Sequence, residues 1–456
     1  AGTYEQAWHI LASQAIAQPN TFSPSGDTTY VTTSQPTTES CTVHAIDVAT
    51  GETQWCTTEA GAIGSSVTVD EAGHLFLAAD TGLVSWTADG VERWRQAFQG
   101  GERAVGVHFH PTGPVATVTT DGRILMVDRT SGEILAELDA YATYGLVAPS
   151  TGGGGLSLQN ALPEPVRLDF ESVFGDTSSL LEVFAGASDE YTDNTLGVAP
   201  TGEMYVIGAG AVSGEGALLQ IRVDGGVLVP GWMAPTTKGS ASSPAISPDG
   251  RYVRIADGNG TQGILAPGTA GASISIFDIA ACDENTDSNT SAEVCGPAFN
   301  IPLAGPALGA APVLNDAEHL FWNVQLAALL DQDDPDLVKM TGEKVDWESV
   351  LPDDRLWTSV LTLTDRHILG TTTRLTASDA TFLTIPLPGT AVSELAVVDR
   401  ATGVLVSTAG APADSTSTVT VDASGAVYVT VLGLVHGFAT ETAIEAGLVK
   451  YVRRRW

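Results

Sequence analysis

Two patterns of apolar and polar positions alternate along the chain, and both have the period of two that marks strands. In the first, an apolar strand meets a turn containing Pro, Asp or Gly and is followed by a β-branched or aromatic strand. Its copies are FSPSGDTTYV (22–31), VTVDEAGHLFLA (67–78), VHFHPTGPVATV (107–118), LGVAPTGEMYVIG (196–208), AISPDGRYVRI (245–255), APVLNDAEHLFW (311–322), VLTLTDRHILG (360–370) and TVTVDASGAVYVT (418–430), with a weaker ninth in LVAPSTGGGGLSL (146–158). The second pattern is an apolar strand, Asp-x-x-x-Gly or a close variant, and a strand that often carries Trp. It reads VHAIDVATGETQW (43–55), LVSWTADGVERW (83–94), ILMVDRTSGEILAEL (124–138), LQIRVDGGVLVPGW (219–232), ISIFDIA (274–280) and LAVVDRATGVLVS (395–407), with LVKMTGEKVDW (337–347) a degenerate copy. Helical periodicity is almost absent, which removes α/β architectures.

Two hairpins per repeat make a four-stranded antiparallel sheet, and repeats of roughly 40–50 residues of this kind are propeller blades. One blade is too small to bury both its faces; radial stacking supplies the missing core and ring closure removes most exposed edges. The expectation is an all-β fold, a single β-propeller over 1–456, with eight blades favoured and seven to nine compatible with the pattern. Residues 152–194 read as a divergent blade or an insertion. TYEQAWHI (3–10) resembles a last blade strand that closes the ring against the C-terminal hairpin, a place for which LVKYVRRRW (448–456) competes.

The run DVATGETQW (47–55) resembles the repeat of the pyrroloquinoline-quinone-type propellers, which include quinoprotein alcohol dehydrogenases and the outer-membrane assembly factor of the BamB type. The resemblance covers nearly the whole chain as a repeat. It implies that blade tryptophans, here Trp55, Trp94 and Trp232, dock between neighbouring blades and stiffen the ring. The dehydrogenases also resemble one another in a vicinal Cys-Cys disulfide, a calcium or lanthanide ion and a catalytic Asp. This chain has no adjacent cysteines and no Trp-rich cofactor platform, so no cofactor is expected.

Composition narrows the setting. The 456 residues carry 20 Lys and Arg against 54 Asp and Glu, a formal net charge of −34, which argues against nucleic acid or anionic membrane as a partner of the general surface. No apolar run reaches the roughly 18 residues of a membrane helix. No basic-then-apolar leader stands at Ala1, so a signal peptide is expected to have been removed or left out. Cys41 and Cys56 fall nearly opposite each other across a hairpin centred on 47–51, and Cys282 and Cys295 bracket the polar loop of 281–296. Two short-range disulfides imply an oxidising, extracytoplasmic compartment: periplasm, cell surface or medium. Neither pair has the C-x-x-C spacing of zinc or redox motifs.

Candidate sites are few. Asp283, Asn285, Asp287 and Asn289 alternate like the opening of an oxygen-ligand calcium loop, although Ser288 stands where an EF-hand needs Gly; the competing reading is a solvated acidic tip. The same solvated reading holds for Asp331, Asp333, Asp334 and Asp336. His108 and His110, two apart on a first strand, share a face on which zinc or copper would find two imidazoles but no evident third ligand. GNGTQG (258–263) matches G-x-G-x-x-G without the helix a dinucleotide needs, and hydrolase and P-loop motifs are missing. Lys450, Arg453, Arg454, Arg455 and Trp456 form a cationic end that either pairs with acidic groups of the chain or contacts a partner.

The favoured function is a non-catalytic, extracytoplasmic platform that binds or scaffolds protein partners, alone or as a subunit of a surface or envelope assembly. The insertions at 159–194, 259–272, 283–294 and 325–345 would supply its contact face. The rival is a secreted enzyme, a carbohydrate lyase or hydrolase or a degenerate quinoprotein dehydrogenase, with its site at the central channel and a polysaccharide as ligand.

Overall fold

The computed structural model describes residues 3–35, 40–98, 102–146, 195–209, 216–236, 243–257, 273–284, 294–302, 313–314, 319–323, 337–341, 344–352, 355–382, 385–433 and 445–454. The first sequence pattern forms strands one and two of each blade and the second forms strands three and four. Blade 1 contains β2 (Thr21–Phe22), β3 (Thr28–Thr32), β4 (Val43–Asp47) and β5 (Thr53–Thr57); blade 2 contains β6 (Thr68–Val69), β7 (Leu75–Ala79), β8 (Gly82–Trp86) and β9 (Glu92–Ala97). Blade 3 follows with β10 (Ala104–Phe109), β11 (Val115–Thr119), β12 (Arg123–Val127) and β13 (Ile134–Asp139), and blade 4 with β14 (Gly197–Val198), β15 (Met204–Ala209), β16 (Gly216–Asp224) and β17 (Val227–Thr236). Blade 5 holds β18 (Ala245–Ile246), β19 (Tyr252–Asp257), β20 (Ser273–Asp278) and β21 (Phe299–Pro302). Blade 6 holds β22 (Val313–Leu314), β23 (His319–Asn323), β24 (Leu337–Thr341) and β25 (Lys344–Ser349). In blade 7 the first strand is split into β26 (Arg355–Trp357) and β27 (Thr362–Leu363), both paired to β28 (His367–Phe382), beyond which lie β29 (Ile385–Asp399) and β30 (Leu405–Ala411).

Blade 8 closes the ring. It consists of β31 (Thr420–Val421), β32 (Val427–Val431), β33 (Gly447–Arg453) and, as its outermost strand, β1 (Tyr4–Ile10). The two terminal segments that compete for the closing place in the sequence pair with each other, from Tyr4 opposite Arg453 to Ile10 opposite Leu448. The chain therefore forms eight antiparallel sheets among the described residues. The segment 152–194, between β13 and β14, lies outside them.

The core lies between the sheets. Eight apolar clusters separate consecutive blades, from that of Tyr30, Leu77 and Trp86 between blades 1 and 2 to that of Ile16, Ile46, Tyr428 and Leu448 between blades 8 and 1. Strands covered by a neighbour on both faces read as unbroken apolar or small runs, as in β7 (LFLAA) and β32 (VYVTV), which are buried throughout. Outermost strands alternate instead, as in β13.

The Asp-x-x-x-Gly turns owe their shape to the carboxylate. Asp47 Oδ1 accepts from the Ala49 and Thr50 amides at 2.9 and 2.7 Å and from Thr50 Oγ1 at 3.0 Å; Asp128 and Asp399 repeat the arrangement with Ser131 and Thr402. Those bonds hold all three carboxyls below the ordinary value of 3.8. Burial likewise lowers the His44 imidazole to about 4. Each folded pKa is depressed, so the unfolded chain binds more protons, and the associated stability is lost as pH falls. Acid melting should begin below about pH 6.5, as His44 comes under strain, and steepen below pH 4, as the turn carboxylates protonate. A His44→Gln variant should remove about half of the first limb, the buried His108 supplying the rest, and an Asp47→Asn, Asp128→Asn, Asp399→Asn variant should flatten the second. Unchanged limbs in melting scans from pH 3 to 8 would refute this.

Candidate functional site: the channel ring and the loop face

The first strand of every blade pairs over two residues just before its turn, with a further paired stretch at Ala104–Val105 in blade 3 and at Arg355–Trp357 in blade 7, and the pairings align one position around the axis: Thr21, Thr68, His108, Gly197, Ala245, Val313, Thr362 and Thr420. The threonines link blades. Thr21 Oγ1 donates to Val67 O at 2.6 Å, Thr68 Oγ1 to Val107 O at 2.9 Å, Thr362 Oγ1 to Val419 O, and Thr420 Oγ1 to Asn20 Oδ1 at 2.6 Å. The result is an unbroken relay from blade 7 through blades 8, 1 and 2 to blade 3. Gly197, Ala245 and Val313 have no hydroxyl to continue it. This ring escaped the sequence reading; its signal was Thr two places before the turn.

His108 occupies the same position where the relay stops. Its Nε2 is shielded from solvent without a hydrogen-bond partner, and burial lowers its pKa to about 4, so the ring is neutral. It crowds Gly106, where a Cβ would lie 3.3 Å from His108 Nε2 and 2.6 Å from Thr195 of the next blade. His110 opens the following turn; its Nε2 is 2.7 Å from Gly202 O in blade 4 and its Nδ1 2.8 Å from Thr112 Oγ1. Both ring nitrogens of His110 are thus engaged, Nε2 in tying blade 3 to blade 4 and Nδ1 within its own turn. Among the described residues no group of three or more His, Cys, Asp and Glu side chains could hold a metal ion.

Trp55 and Trp94 on outermost strands reach the next blade. Trp55 Nε1 donates to Ala88 O at 2.9 Å and Trp94 Nε1 to Arg129 O at 3.0 Å. Each indole lies on a turn glycine with left-handed φ: a Cβ on Gly90 would come 2.8 Å from Trp55, and one on Gly132 2.6 Å from Trp94. Trp347 on Gly403 and Trp8 on Gly51 repeat the contact. Trp8 and Trp347 were not singled out from the sequence, although each precedes such a turn by one blade. Trp232 is fully buried between Tyr205 of its own blade and Phe277 of blade 5, at ring distances of 5.7 and 6.0 Å.

Cys41 is bonded to Cys56 and Cys282 to Cys295. The second bond is a clasp between blades: α1 (Ile279–Glu284) carries Cys282, while the Cys295 amide donates to Met233 O at 2.7 Å and Val294 bridges Met233 in parallel, on the outer edge of β17. Asp283 faces the same blade and accepts from Gln220 Nε2 at 3.0 Å. Asn285, Asp287 and Asn289 lie outside the described residues, so the calcium reading is not tested by geometry. Reduction should lower the melting temperature, each bond contributing about 3 kcal/mol for loops of this length; an equal melting temperature with four alkylatable thiols would contradict it.

At the cationic end, Lys450 Nζ donates to Val48 O of blade 1 at 2.7 Å and lies over the Trp8 and Tyr428 rings. Arg454 pairs with Glu5 at 2.8 Å and Arg453 lies over Tyr4. These cations serve ring closure. Arg455 and Trp456 lie outside the described residues.

The two faces of the ring differ. Turns between strands one and two and between strands three and four leave from one face, and they are short and glycine-bearing, as at Gly26, Gly51, Gly73, Gly90, Gly113 and Gly132. Connections between strands two and three and between successive blades leave from the other. The strand ends there bracket 147–194, 210–215, 258–272, 303–312, 324–336 and 434–444, which lie outside the described residues, and the β28–β29 hairpin leaves from the same face. The insertion at 283–294 joins strands three and four of blade 5, so it belongs to the short-turn face.

No curated protein sequence matches the chain. Solved structures share its fold. BamB from Moraxella catarrhalis is 12% identical, with a TM-score of 0.50, over 99% of this chain and 100% of that one. A quinohemoprotein alcohol dehydrogenase from Comamonas testosteroni is 14% identical, with a TM-score of 0.55, over 99% of this chain and 76% of that one. A family model described as outer membrane protein assembly factor BamB matches residues 39–151. Repeat and eight-sheet ring together make the chain an all-β propeller that shares its fold with these structures, and its residues 39–151 are similar to the BamB family model.

Proposed function

We propose that the protein is a non-catalytic, extracytoplasmic propeller that serves as a protein-binding platform, as one subunit of a surface or envelope assembly. The observation that carries this reading is the asymmetry of the faces. A stiff ring, locked by indoles and threonines, keeps one face to short turns except at the 283–294 connection of blade 5, and gathers its other long connections on the opposite face, where sequence can change without disturbing the core. The two disulfides support an oxidising compartment. The BamB likeness supports a scaffold role by analogy of fold. The high negative charge would discourage self-association and favour partners with basic segments. Chemical cross-linking in the source cells, followed by mass spectrometry of purified adducts, tests the proposal. Adducts to another protein through long connections are expected; a chain recovered without any partner would remove the reading's support.

A further inference from the structure

Blade 7 carries an arm. β28 and β29 continue past their neighbours: β26 and β27 pair with β28 at Leu356, Trp357 and flanking positions up to Arg374, and β30 pairs with β29 from Ser393 onward. From Leu375 opposite Ala391 to Phe382 opposite Ile385, the two strands pair with each other, with register shifts at Thr376/Ala377 and between Ala377 and Thr381 that leave 378–380 as a bulge on β28, and no other described strand pairs with them. The shorter strand, 385–391, carries the arm roughly 20 Å beyond the blade on the loop face.

The two edges of this ribbon are unlike. The β29 edge contains Pro386 and Pro388, which lack the N–H of a ladder donor, and Gly389, which weakens a strand, so strand addition there is disfavoured. The β28 edge, LTASDATF (375–382), contains no Pro or Gly, and it continues the side on which β26, the innermost strand, pairs lower down. Asp379 is the one charge between Leu375 and Val392, on a chain of net −34. A two-stranded ribbon is marginally stable on its own, and a third strand completes it.

We infer that the free edge of β28 over 375–382 is a docking edge that takes an extended segment of another protein as a third strand. The segment is uncharged where it pairs, matching the arm, and flanked by Lys or Arg, matching the acidic body around it. Backbone bonds supply the affinity and the proline-bearing edge fixes which side is used. The inference rests on the platform reading above.

The test places a photo-crosslinking amino acid at Ser378, at Gly389 or at the exposed Val91 of blade 2 in the full-length protein, and irradiates the source cells. Adducts to a different protein from position 378 are expected, with few from 389. Hydrogen exchange on the purified complex should show at least tenfold slowing over 375–382. A second variant replaces 375–391 by Asn-Gly, a two-residue hairpin turn that leaves the rest of blade 7 paired; it should lose the partner while melting within about 2 °C of the parent. A partner still captured by the shortened variant, or attached through other positions, overturns the docking edge and leaves the platform standing. An adduct from 378 to a second copy of this chain overturns the choice of occupant. No adduct from any position overturns both.

Discussion

Deleting residues 1–10 is expected to lower the melting temperature by about 10 °C or more, or to leave a chain that aggregates when expressed. The strand forms the whole outer edge of blade 8, paired with β33 over its length. It also brings Trp8 onto Gly51 of blade 1, the His9 ring nitrogen to within 2.7 Å of Ala446 O, and Glu5 to Arg454. Loss of the half-buried Trp8 indole alone would cost about 3 kcal/mol. Loss of its ladder bonds and of the apolar cover on Tyr428 and Leu448 adds to this. Adding residues 1–10 back as a synthetic peptide should restore part of the stability. A truncated protein that melts within about 2 °C of the parent would show that the ring does not depend on this closure.

The second large effect is expected at the indole locks. Trp94→Ala should destabilise by about 3–5 kcal/mol, because the side chain is nearly buried among Phe76, Leu83, Val115 and Leu125. Gly132→Val should cost a comparable amount from the other side: φ is 77°, and the new Cβ would overlap the same indole. The two faults share one contact, so the double variant should lose clearly less than their sum. Full additivity in denaturant titration would refute the lock. The analogous pairs Trp55 with Gly90 and Trp347 with Gly403 provide internal repeats of the experiment.

The same residues show why so much of the fold was legible. Two patterns recurred, and each became one hairpin of a blade, because turn chemistry at Asp47, Asp128 and Asp399 is local and indoles need only a glycine one blade on. The closing strand was readable as a strand that meets the C-terminal hairpin, but 448–456 read as its competitor and not as its partner, since pairing across the whole chain length leaves no local signal of register. The site was less legible. His108 and His110 stood out as a pair of imidazoles, yet one braces Gly202 and the other occupies a ring position otherwise held by threonine, a distinction that depends on alignment around the axis. The arm at 375–391 was hidden because its prolines and small residues break the period on which strand assignment relies.

The closing strand also sets a schedule for synthesis. Tyr4 to Ile10 leave the ribosome long before their partners in β33, which lie more than 430 positions later, as the separation of 437 between His9 and Ala446 shows. At roughly 5–20 residues per second this interval is on the order of 20–90 s, during which an apolar strand and the flank of blade 1 stay unpaired. Early blades can stack as they emerge, yet the ring cannot lock until the last strand arrives, so folding is intrinsically slow and high in contact order. In a secreted chain that waiting period would fall to chaperones that hold exposed strands. The N-terminal strand is then the expected point of capture, and its acidic and polar outer residues, Glu5 and Gln6, keep the waiting edge soluble.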